Sequence, residues 1–211
     1  MAIIDLSHPL SATMPVYPGS APPEIRAAFT VERDGFAEQW IGLFTHTGTH
    51  IDAPAHMLAG APTLDRLPVG QFFGPARVVD VAALPGPEIS LALLEARQAD
   101  LEGAEFVLFH TGWSGKWGQE AYFTGFPVLA PEAARWLCGR GLKGLGFDAI
   151  SIDPVATQTY ENHHICFQAG LILIENLTGL EPLIGRPFLF SCLPLKLEQA
   201  YGSPVRAVAM I

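Results

Sequence analysis

The amino-acid sequence predicts an α/β fold in which strands outnumber helices, and three observations support this prediction. Eight short runs are rich in β-branched and aromatic residues and are separated by turns that contain glycine or proline. Only two segments carry clear helix signals. In the middle of the chain the strand and helix patterns alternate, which is typical of a partly parallel sheet covered by helices.

The predicted strands follow one another along the whole chain. They are Ile25–Thr30, Gln39–Thr45, Ala76–Val81, Glu105–Thr111, Leu142–Phe147, Leu171–Glu175, Pro187–Cys192 and Val205–Met210. The first helix is predicted over Leu91–Asp100, because Ser90 can cap its N-terminus. The second is predicted to begin at Pro131, since proline suits the first helical turn, and to end at Gly139 or Gly141.

The chain is predicted to form one domain, residues 1–211. Its length is sufficient to bury a core without disulfides, and no internal repeat or low-complexity linker divides it. Two stretches, Leu58–Phe73 and Trp113–Pro127, are predicted to be long irregular connections. Long loops in compact domains are often lids or walls of functional sites, so we expect that either could close over a site.

Composition and charge exclude several classes of partner. With 49% hydrophobic and 16% charged residues the chain is not disordered, and it is expected to form a homo-oligomer. The net charge of −9, without a stripe of Lys or Arg, argues against nucleic acid. No run of about 18 apolar residues and no signal-peptide pattern occurs, so no membrane partner is expected. A small, largely apolar ligand fits better.

Three cysteines favour a cytoplasmic location. Cys138, Cys166 and Cys192 form no CxxC pair, and their odd number argues against a disulfide framework. A reducing compartment is the natural interpretation.

A short segment in the first third of the chain gathers four side chains that are typical metal ligands. They occupy even-numbered positions: His46, His50, Asp52 and His56. In an extended chain they would share one face. Imidazole nitrogens and a carboxylate are the ligand set of Zn²⁺, and they also suit Mn²⁺ or Fe²⁺. The segment therefore predicts a metal site, with a purely structural role as the alternative.

The backbone of this segment is predicted to bend. A fully extended strand would hold His46 and His50 roughly 13 Å apart, which is too far for one ion about 2 Å from each ligand. Gly48 permits a bend because it can adopt φ values closed to other residues. Pro54 argues against a regular helix and can fix a second turn.

A second constellation lies near residue 170. An apolar run ends abruptly at Glu175, and His163 and His164 precede it. A buried carboxylate requires a cation, a metal or several hydrogen bonds, so Glu175 is a candidate ligand. A solvated acid at a strand end is the alternative.

The sequence resembles the cyclase family of metal-dependent hydrolases, which includes bacterial kynurenine formamidase and isatin hydrolase. The family motif His-x-Gly-Thr-His-x-Asp-x-Pro-x-His is matched without a gap from His46 to His56. Weaker markers agree, and they start at Asp5, Pro15, His110, Asp148 and Glu175. The resemblance implies a swivelling β/β/α-type fold, a mixed sheet with few helices, and a homodimer.

The resemblance also implies roles for single residues. It implies two divalent ions per chain, Zn²⁺ or Mn²⁺, and five ligands: His46, His50, Asp52, His163 and Glu175. Asp52 would bridge the two ions, and His56 would transfer protons. The family's late histidine stands twelve residues before its metal-binding glutamate, which selects His163. His164, where the family often carries Arg or Lys, is interpreted as a neighbour of the site or a structural residue.

The implied reaction is hydrolysis of an amide carbonyl by metal-activated water, with His56 as general acid and base. The first expected substrate is an aryl formamide such as N-formylkynurenine, which would give kynurenine and formate. Tyr17, expected to bind substrate, stands where kynurenine formamidases typically have Trp, and Ser20 stands where Asp is common. Cyclic amides and lactones therefore stay open, as do ring closure of a larger scaffold and a non-catalytic, metal-stabilised binding protein.

Overall fold

The computed structural model describes residues 1–211 and contains thirteen strands and four helices. The strands are β1 Ile3–Asp5, β2 Glu24–Phe29, β3 Glu38–Gly42, β4 His50–Asp52, β5 Phe73–Asp80, β6 Glu88–Ile89, β7 Phe106–His110, β8 Val128–Leu129, β9 Gly144–Phe147, β10 Ile172–Glu175, β11 Phe188–Ser191, β12 Gly202–Pro204 and β13 Val208–Met210. The helices are α1 Val31–Asp34, α2 Leu91–Ala96, α3 Pro131–Cys138 and α4 Glu161–Gln168.

Nine strands form one mixed sheet in the order β1-β13-β11-β5-β7-β9-β10-β4-β12. The central strands β5, β7, β9 and β10 run parallel to their neighbours in this set. The strands on either side of them pair in antiparallel register. The predicted α/β class, a mixed sheet with few helices, is confirmed.

Apolar side chains cover both faces of the central strands. In β7, Phe106 and Leu108 belong to one buried cluster, whereas Val107 and Phe109 belong to another on the opposite face. Helices α2, α3 and α4 contribute to the second cluster. The first cluster includes residues from both flanks of the sheet, for example Ala209 of β13 and Ile51 of β4, so the sheet curls around it. Strand β4 is thereby held rigidly at the edge of the core.

The eight predicted strands coincide with observed strands, although their ends differ by a few residues. Five strands of two or three residues each, β1, β4, β6, β8 and β12, were not predicted, because so short a run shows no alternation. The helix that starts after Ser90 is confirmed, and the Ser90 hydroxyl accepts a hydrogen bond from the Leu93 amide. It ends earlier than predicted, at Ala96, and a 3-10 turn follows.

The helix at Pro131 ends at Cys138 and is followed by Gly139, as predicted.

Helix α4 was not predicted. Its capping group is the carboxylate of Asp153, which accepts the amide hydrogens of Asn162 and His163 at 3.1 Å each. Since Asp153 lies eight residues before the helix begins, no local capping signal precedes α4 in the sequence.

The three cysteines are free thiols; Cys166 and Cys192 are buried and Cys138 is half-buried. None of the helices has the length and apolar character that crossing a membrane would require.

Candidate active site

The turn between β3 and β4 places the first predicted ligands. Gly48 has a φ of +68°, and a Cβ at this position would stand 2.7 Å from the Leu10 side chain. Both facts restrict the position to glycine, and they confirm the predicted bend. The chain then enters β4, where His50 and Asp52 share one face while Ile51 points into the core.

Strand pairing brings the distant carboxylate to the same place. In the register between β4 and β10, Glu175 is the direct partner of His50. On the other side of β4, Gly202 of β12 is the partner of Asp52. A Cβ at residue 202 would lie 2.5 Å from Nε2 of His46, so the absence of a side chain there makes room for this imidazole.

All five predicted ligands converge. The Nε2 atoms of His46 and His50 lie 3.3 and 3.2 Å from Oδ1 of Asp52. Glu175 lies between the other two groups: its Oε2 is 3.6 Å from Nε2 of His50, and its Oε1 is 3.4 Å from Nε2 of His163. Asp52 is 1% exposed and Glu175 is 5% exposed. Two carboxylates and three imidazoles therefore share one buried volume.

The remaining ring nitrogens have their own partners. Nδ1 of His50 donates to the Gly48 carbonyl at 2.8 Å. Nδ1 of His163 donates to Oδ2 of Asp153 at 2.7 Å. Nδ1 of His46 lies 3.1 Å from the Thr45 hydroxyl. When the rings of His50 and His163 are neutral, this pattern leaves their Nε2 atoms without a proton and directed at the carboxylates, as in metal-binding histidines.

The donor set fits divalent metal. Nε2 of His46 and Oδ1 of Asp52 are buried and have no hydrogen-bond partner, which is costly unless a cation satisfies them. One donor atom each from His50, Asp52 and Glu175 lie within 4.8 Å of one another, a spacing compatible with an ion about 2 Å from each. Imidazole and carboxylate are the ligands of Zn²⁺, and they also suit Mn²⁺.

The electrostatics of the cluster also favour a bound cation. Burial opposes the charged imidazolium, yet the carboxylate of Asp52 raises the pKa of His50 to about 9. Burial also opposes charge on His163, but hydrogen bonds to Asp153 and Glu175 raise its pKa to about 10. The pKa of Asp52 is lowered, because the charges of His50 and His46 outweigh its burial. The buried carboxylates thus attract positive charge, which a divalent cation supplies when the histidines are neutral.

His56 lies beside this cluster but belongs to a different element. It ends the 3-10 turn Pro54–His56, and its ring centroid is 4.0 Å from that of His46. The imidazole is exposed to the cavity next to the cluster. It can therefore reach a bound molecule and exchange a proton with it.

The cavity at the cluster has a volume of about 610 Å³. Besides the five predicted ligands and His56, its lining comprises Pro15, Val16, Tyr17, Ser20, Phe44, Gly48, Met57, Ile150, Ser151, Tyr160, His164 and Asn176. Tyr17 lines it as predicted, and its hydroxyl donates to the Val155 carbonyl at 3.3 Å. Neither Leu58–Phe73 nor Trp113–Pro127 contributes a lining residue to this cavity, and closure of either loop over the site stays a prediction.

Three residues of this site have contacts that the sequence did not reveal. Asp153 orients His163, Asn176 contacts Gly48, and Tyr160 lines the cavity with a left-handed φ of 48°. Asn176 directly follows the buried strand β10, and Asp153 ends the buried segment after β9, which is a signal for the site. Their partners lie in the turn before β4 and in α4, and the sequence does not show these contacts.

Comparisons with known proteins agree with this geometry. The model of the family described as "Putative cyclase" matches residues 4–154. The kynurenine formamidase of Bacillus cytotoxicus is 34% identical over 208 residues, which cover 97% of this chain and 95% of the relative.

Solved structures share the fold. Isatin hydrolase A from Labrenzia aggregata bound to benzyl benzoate superposes with a TM-score of 0.90 and 26% identity, over 100% of this chain and 93% of that one. A protein from Bacillus stearothermophilus, described as a predicted metal-dependent hydrolase, superposes with a TM-score of 0.81 and 30% identity, over 99% and 97% of the two chains.

Proposed function

This chain belongs to the cyclase family and is a metal-dependent hydrolase, and we propose that it hydrolyses the amide bond of an aryl formamide such as N-formylkynurenine, releasing formate. The observation that carries the proposal is the convergence of the five predicted ligands beside His56 in one cavity. A metal site with a general acid and base beside it is sufficient for hydrolysis at neutral pH.

We assign two divalent ions, Zn²⁺ or Mn²⁺, to the cluster. His46 and His50 would hold one ion, His163 and Glu175 the other, and Asp52 would bridge them. The support is that Asp52 contacts His46 and His50, that Glu175 reaches from His50 to His163, and that donor atoms of His50, Asp52 and Glu175 lie within 4.8 Å of one another. When bound, such ions supply a water whose pKa falls from 15.7 towards about 7, and they polarise a carbonyl oxygen.

His56 carries the proton transfer. It accepts a proton from the attacking water as the oxygen bonds to the carbonyl carbon, and it returns that proton to the leaving nitrogen as the C–N bond breaks. A histidine suits both steps because its ordinary pKa is about 6.5. General catalysis of this kind typically contributes about 10²–10⁴-fold.

The cavity favours a substrate with one aromatic ring system. A volume of about 610 Å³ lies within the range of small-molecule sites, roughly 300–1,000 Å³, and does not favour a polyketide-sized scaffold. Tyr17 and Phe44 offer aromatic surface on which an aryl ring can stack. The cavity therefore favours hydrolysis over ring closure of a large scaffold as the function.

The second candidate is hydrolysis of a neutral cyclic amide such as isatin, or of a lactone. No Lys or Arg lines the cavity, so the carboxylate of N-formylkynurenine would meet no permanently charged cation there. A neutral aryl amide has no such requirement. The isatin hydrolase with 26% identity supports this candidate, because it has the same fold.

We also propose that the chain forms a homodimer through the β2–β3 hairpin. This hairpin is separate from the main sheet, and Phe29, Trp40, Ile41 and Phe44 on and beside it are 40%, 42%, 53% and 58% exposed. An isolated two-stranded hairpin is marginally stable in water, and clustered exposed apolar residues are typical of interfaces. Light scattering during size exclusion would measure the mass, and a monomer at micromolar concentration would contradict a dimer.

Two further predictions complete the proposal. Residues 1–211 form one domain, because β1 and β13, from opposite ends of the chain, pair within the main sheet. The protein functions in the cytoplasm, where a reducing environment would keep its three thiols free.

The experiment combines metal content with turnover. Elemental analysis of gently purified protein is expected to give about two ions per chain, and formate release from N-formylkynurenine should stop on chelation and return with metal. Metal without formate release, but with opening of isatin or a lactone, would select the second candidate. Folded protein that neither contains nor rebinds metal would contradict the metal-dependent reaction.

A further inference from the structure

Asn176 follows the predicted ligand Glu175 directly and is 2% exposed. Its side-chain amide contacts Gly48 and Tyr122 with its two ends, and its Nδ2 also lies 3.4 Å from Nδ1 of His50. Nδ2 donates to the Gly48 carbonyl at 2.9 Å, and Oδ1 accepts from the Tyr122 hydroxyl at 2.7 Å. The residue thus joins the end of β10 to the turn that precedes β4.

The backbone of Asn176 strengthens this connection. Its carbonyl accepts from the Thr49 hydroxyl at 2.6 Å, and its amide donates to the Ala149 carbonyl at 2.9 Å. Two successive residues of the ligand turn, Gly48 and Thr49, are therefore bound to the same asparagine. Any movement of Asn176 would displace the turn.

The Gly48 carbonyl has a second donor, Nδ1 of His50, at 2.8 Å. Because that bond keeps the proton on Nδ1, Nε2 of the neutral ring keeps its lone pair for a metal ion and faces Asp52 at 3.2 Å. The direction of the Gly48 carbonyl consequently sets the orientation of the His50 ring. Asn176 donates to the same carbonyl, and its Nδ2 lies beside the imidazole, 3.4 Å from Nδ1 of His50.

Tyr122 fixes which end of the amide faces the turn. Its side chain is completely buried, and the only hydrogen bond of its hydroxyl goes to Oδ1 of Asn176. The Gly48 carbonyl can only accept, so the amide nitrogen must face it and the amide oxygen must face Tyr122. The burial that raises the pKa of Tyr122 keeps its hydroxyl protonated and donating.

The backbone of Asn176 is left-handed, with a φ of 57°. Glycine would adopt this conformation most easily, and asparagine is among the few other residues that tolerate it. A glycine would, however, leave both the Gly48 carbonyl and the Tyr122 hydroxyl without this partner. The side chain, rather than the backbone, accounts for asparagine here.

We propose that Asn176 is a positioning residue of the metal centre: it holds the Gly48 carbonyl, which orients His50, while Tyr122 orients the Asn176 amide. The inference rests on the proposed metal site but not on the substrate. Its test is therefore metal affinity, measured independently of turnover.

The decisive variant is Asn176→Gly, which keeps the left-handed backbone and removes the amide. Metal-free protein is titrated with Zn²⁺ against a chromophoric chelator, and circular dichroism of the same samples checks folding. The dissociation constant is expected to rise about 10–100-fold, as for other groups that orient metal ligands. Tyr122→Phe should weaken binding in the same direction and by less.

The control is Gln199→Gly. Gln199 has almost the same left-handed φ, 55°, but it is exposed and lies outside the cavity lining. This variant should bind Zn²⁺ like the unmodified chain, which separates a backbone effect from loss of the amide.

Asn176→Gly with an unchanged dissociation constant would overturn the inference. If that variant does not fold, Tyr122→Phe decides: lower thermal stability with unchanged Zn²⁺ affinity would overturn it equally. An unmodified chain that binds no Zn²⁺ would instead remove the proposed metal centre, and the inference with it. The failure of the positioning role is thus distinguishable from failure of the site.

Discussion

The two halves of the candidate metal centre are built in different ways. The β4 half takes His46, His50 and Asp52 from seven consecutive residues, and the His50 ring is oriented by a backbone carbonyl only two residues away. The other half takes His163 from α4 and Glu175 from β10. There His163 is oriented by the carboxylate of Asp153, ten residues earlier in the chain.

The two halves are therefore held in place by different interactions. The β4 half depends on a turn that Gly48 alone can make and on the pairing of β4 with β10 and β12. The other half depends on a charge: Asp153 both caps α4 and binds the His163 ring. We expect the second half to be more sensitive to loss of a single carboxylate outside the ligand set.

The largest effect is expected at Asp52, the proposed bridge between the two ions. Asp52→Asn removes the charge that faces His46 and His50 while nearly preserving the shape of the side chain. Formate release should fall by on the order of 10³-fold or more, above the roughly 100-fold that loss of an outer partner costs. Elemental analysis should show depleted metal.

The matched control is Asp65→Asn, in the 3-10 turn Leu64–Arg66 outside the cavity lining. It should leave metal content and turnover as they are. Full metal occupancy in Asp52→Asn would contradict the assignment of Asp52 as the bridge between the halves.

His56 separates chemistry from metal binding within the β4 half. His56→Ala should retain both ions, because His56 is not among the five predicted ligands, while turnover falls about 10²–10⁴-fold. Metal content and formate release are measured on the same preparation. His110→Ala, whose ring contacts Asp80 outside the cavity, should change neither quantity. Joint loss of metal and fold in His56→Ala would support the non-catalytic, metal-stabilised alternative.

Asp153→Asn tests directly whether the two halves of the metal centre depend on different interactions. Loss of its charge should weaken binding of the ion assigned to His163 and Glu175 by about 10–100-fold. The ion assigned to His46 and His50 should stay in place. Dialysis followed by elemental analysis should then give about one ion per chain instead of two.

Asp148→Asn is the control for loss of a buried carboxylate. Asp148 is fully buried and accepts hydrogen bonds from Thr111 and Gly112, but it contacts none of the predicted ligands. If Asp153→Asn released both ions or neither, the two halves would not be independent in the way that their construction suggests.

The same contrast explains what the sequence could predict. The β4 half was readable because its ligands are close in sequence and Gly48 marks the bend. Selection of His163 over His164 needed the resemblance to a known family, since neither the helix α4 nor its distant cap at Asp153 leaves a local pattern. The contacts of Asn176 with Gly48 and Tyr122 arise from strand pairing, which residue spacing does not encode. The central parallel strands were predictable because long apolar runs alternate with helix signals.

Tyr17 lies outside both halves and is expected to show the smallest effect. Its hydroxyl donates to the Val155 carbonyl, and burial raises its pKa to about 12, so it is a neutral donor at physiological pH. Tyr17→Phe keeps the aromatic surface and removes one hydrogen bond worth about 1 kcal/mol, or roughly fivefold in an equilibrium. We expect KM for N-formylkynurenine to rise at most a few-fold, because the stacking ring is kept but loses the hydrogen bond to Val155 that positions it, while kcat and metal content stay constant. Steady-state kinetics distinguish this from a role in the chemistry: a loss of kcat as large as that of His56→Ala would extend the catalytic machinery beyond the metal centre to the aromatic wall of the cavity.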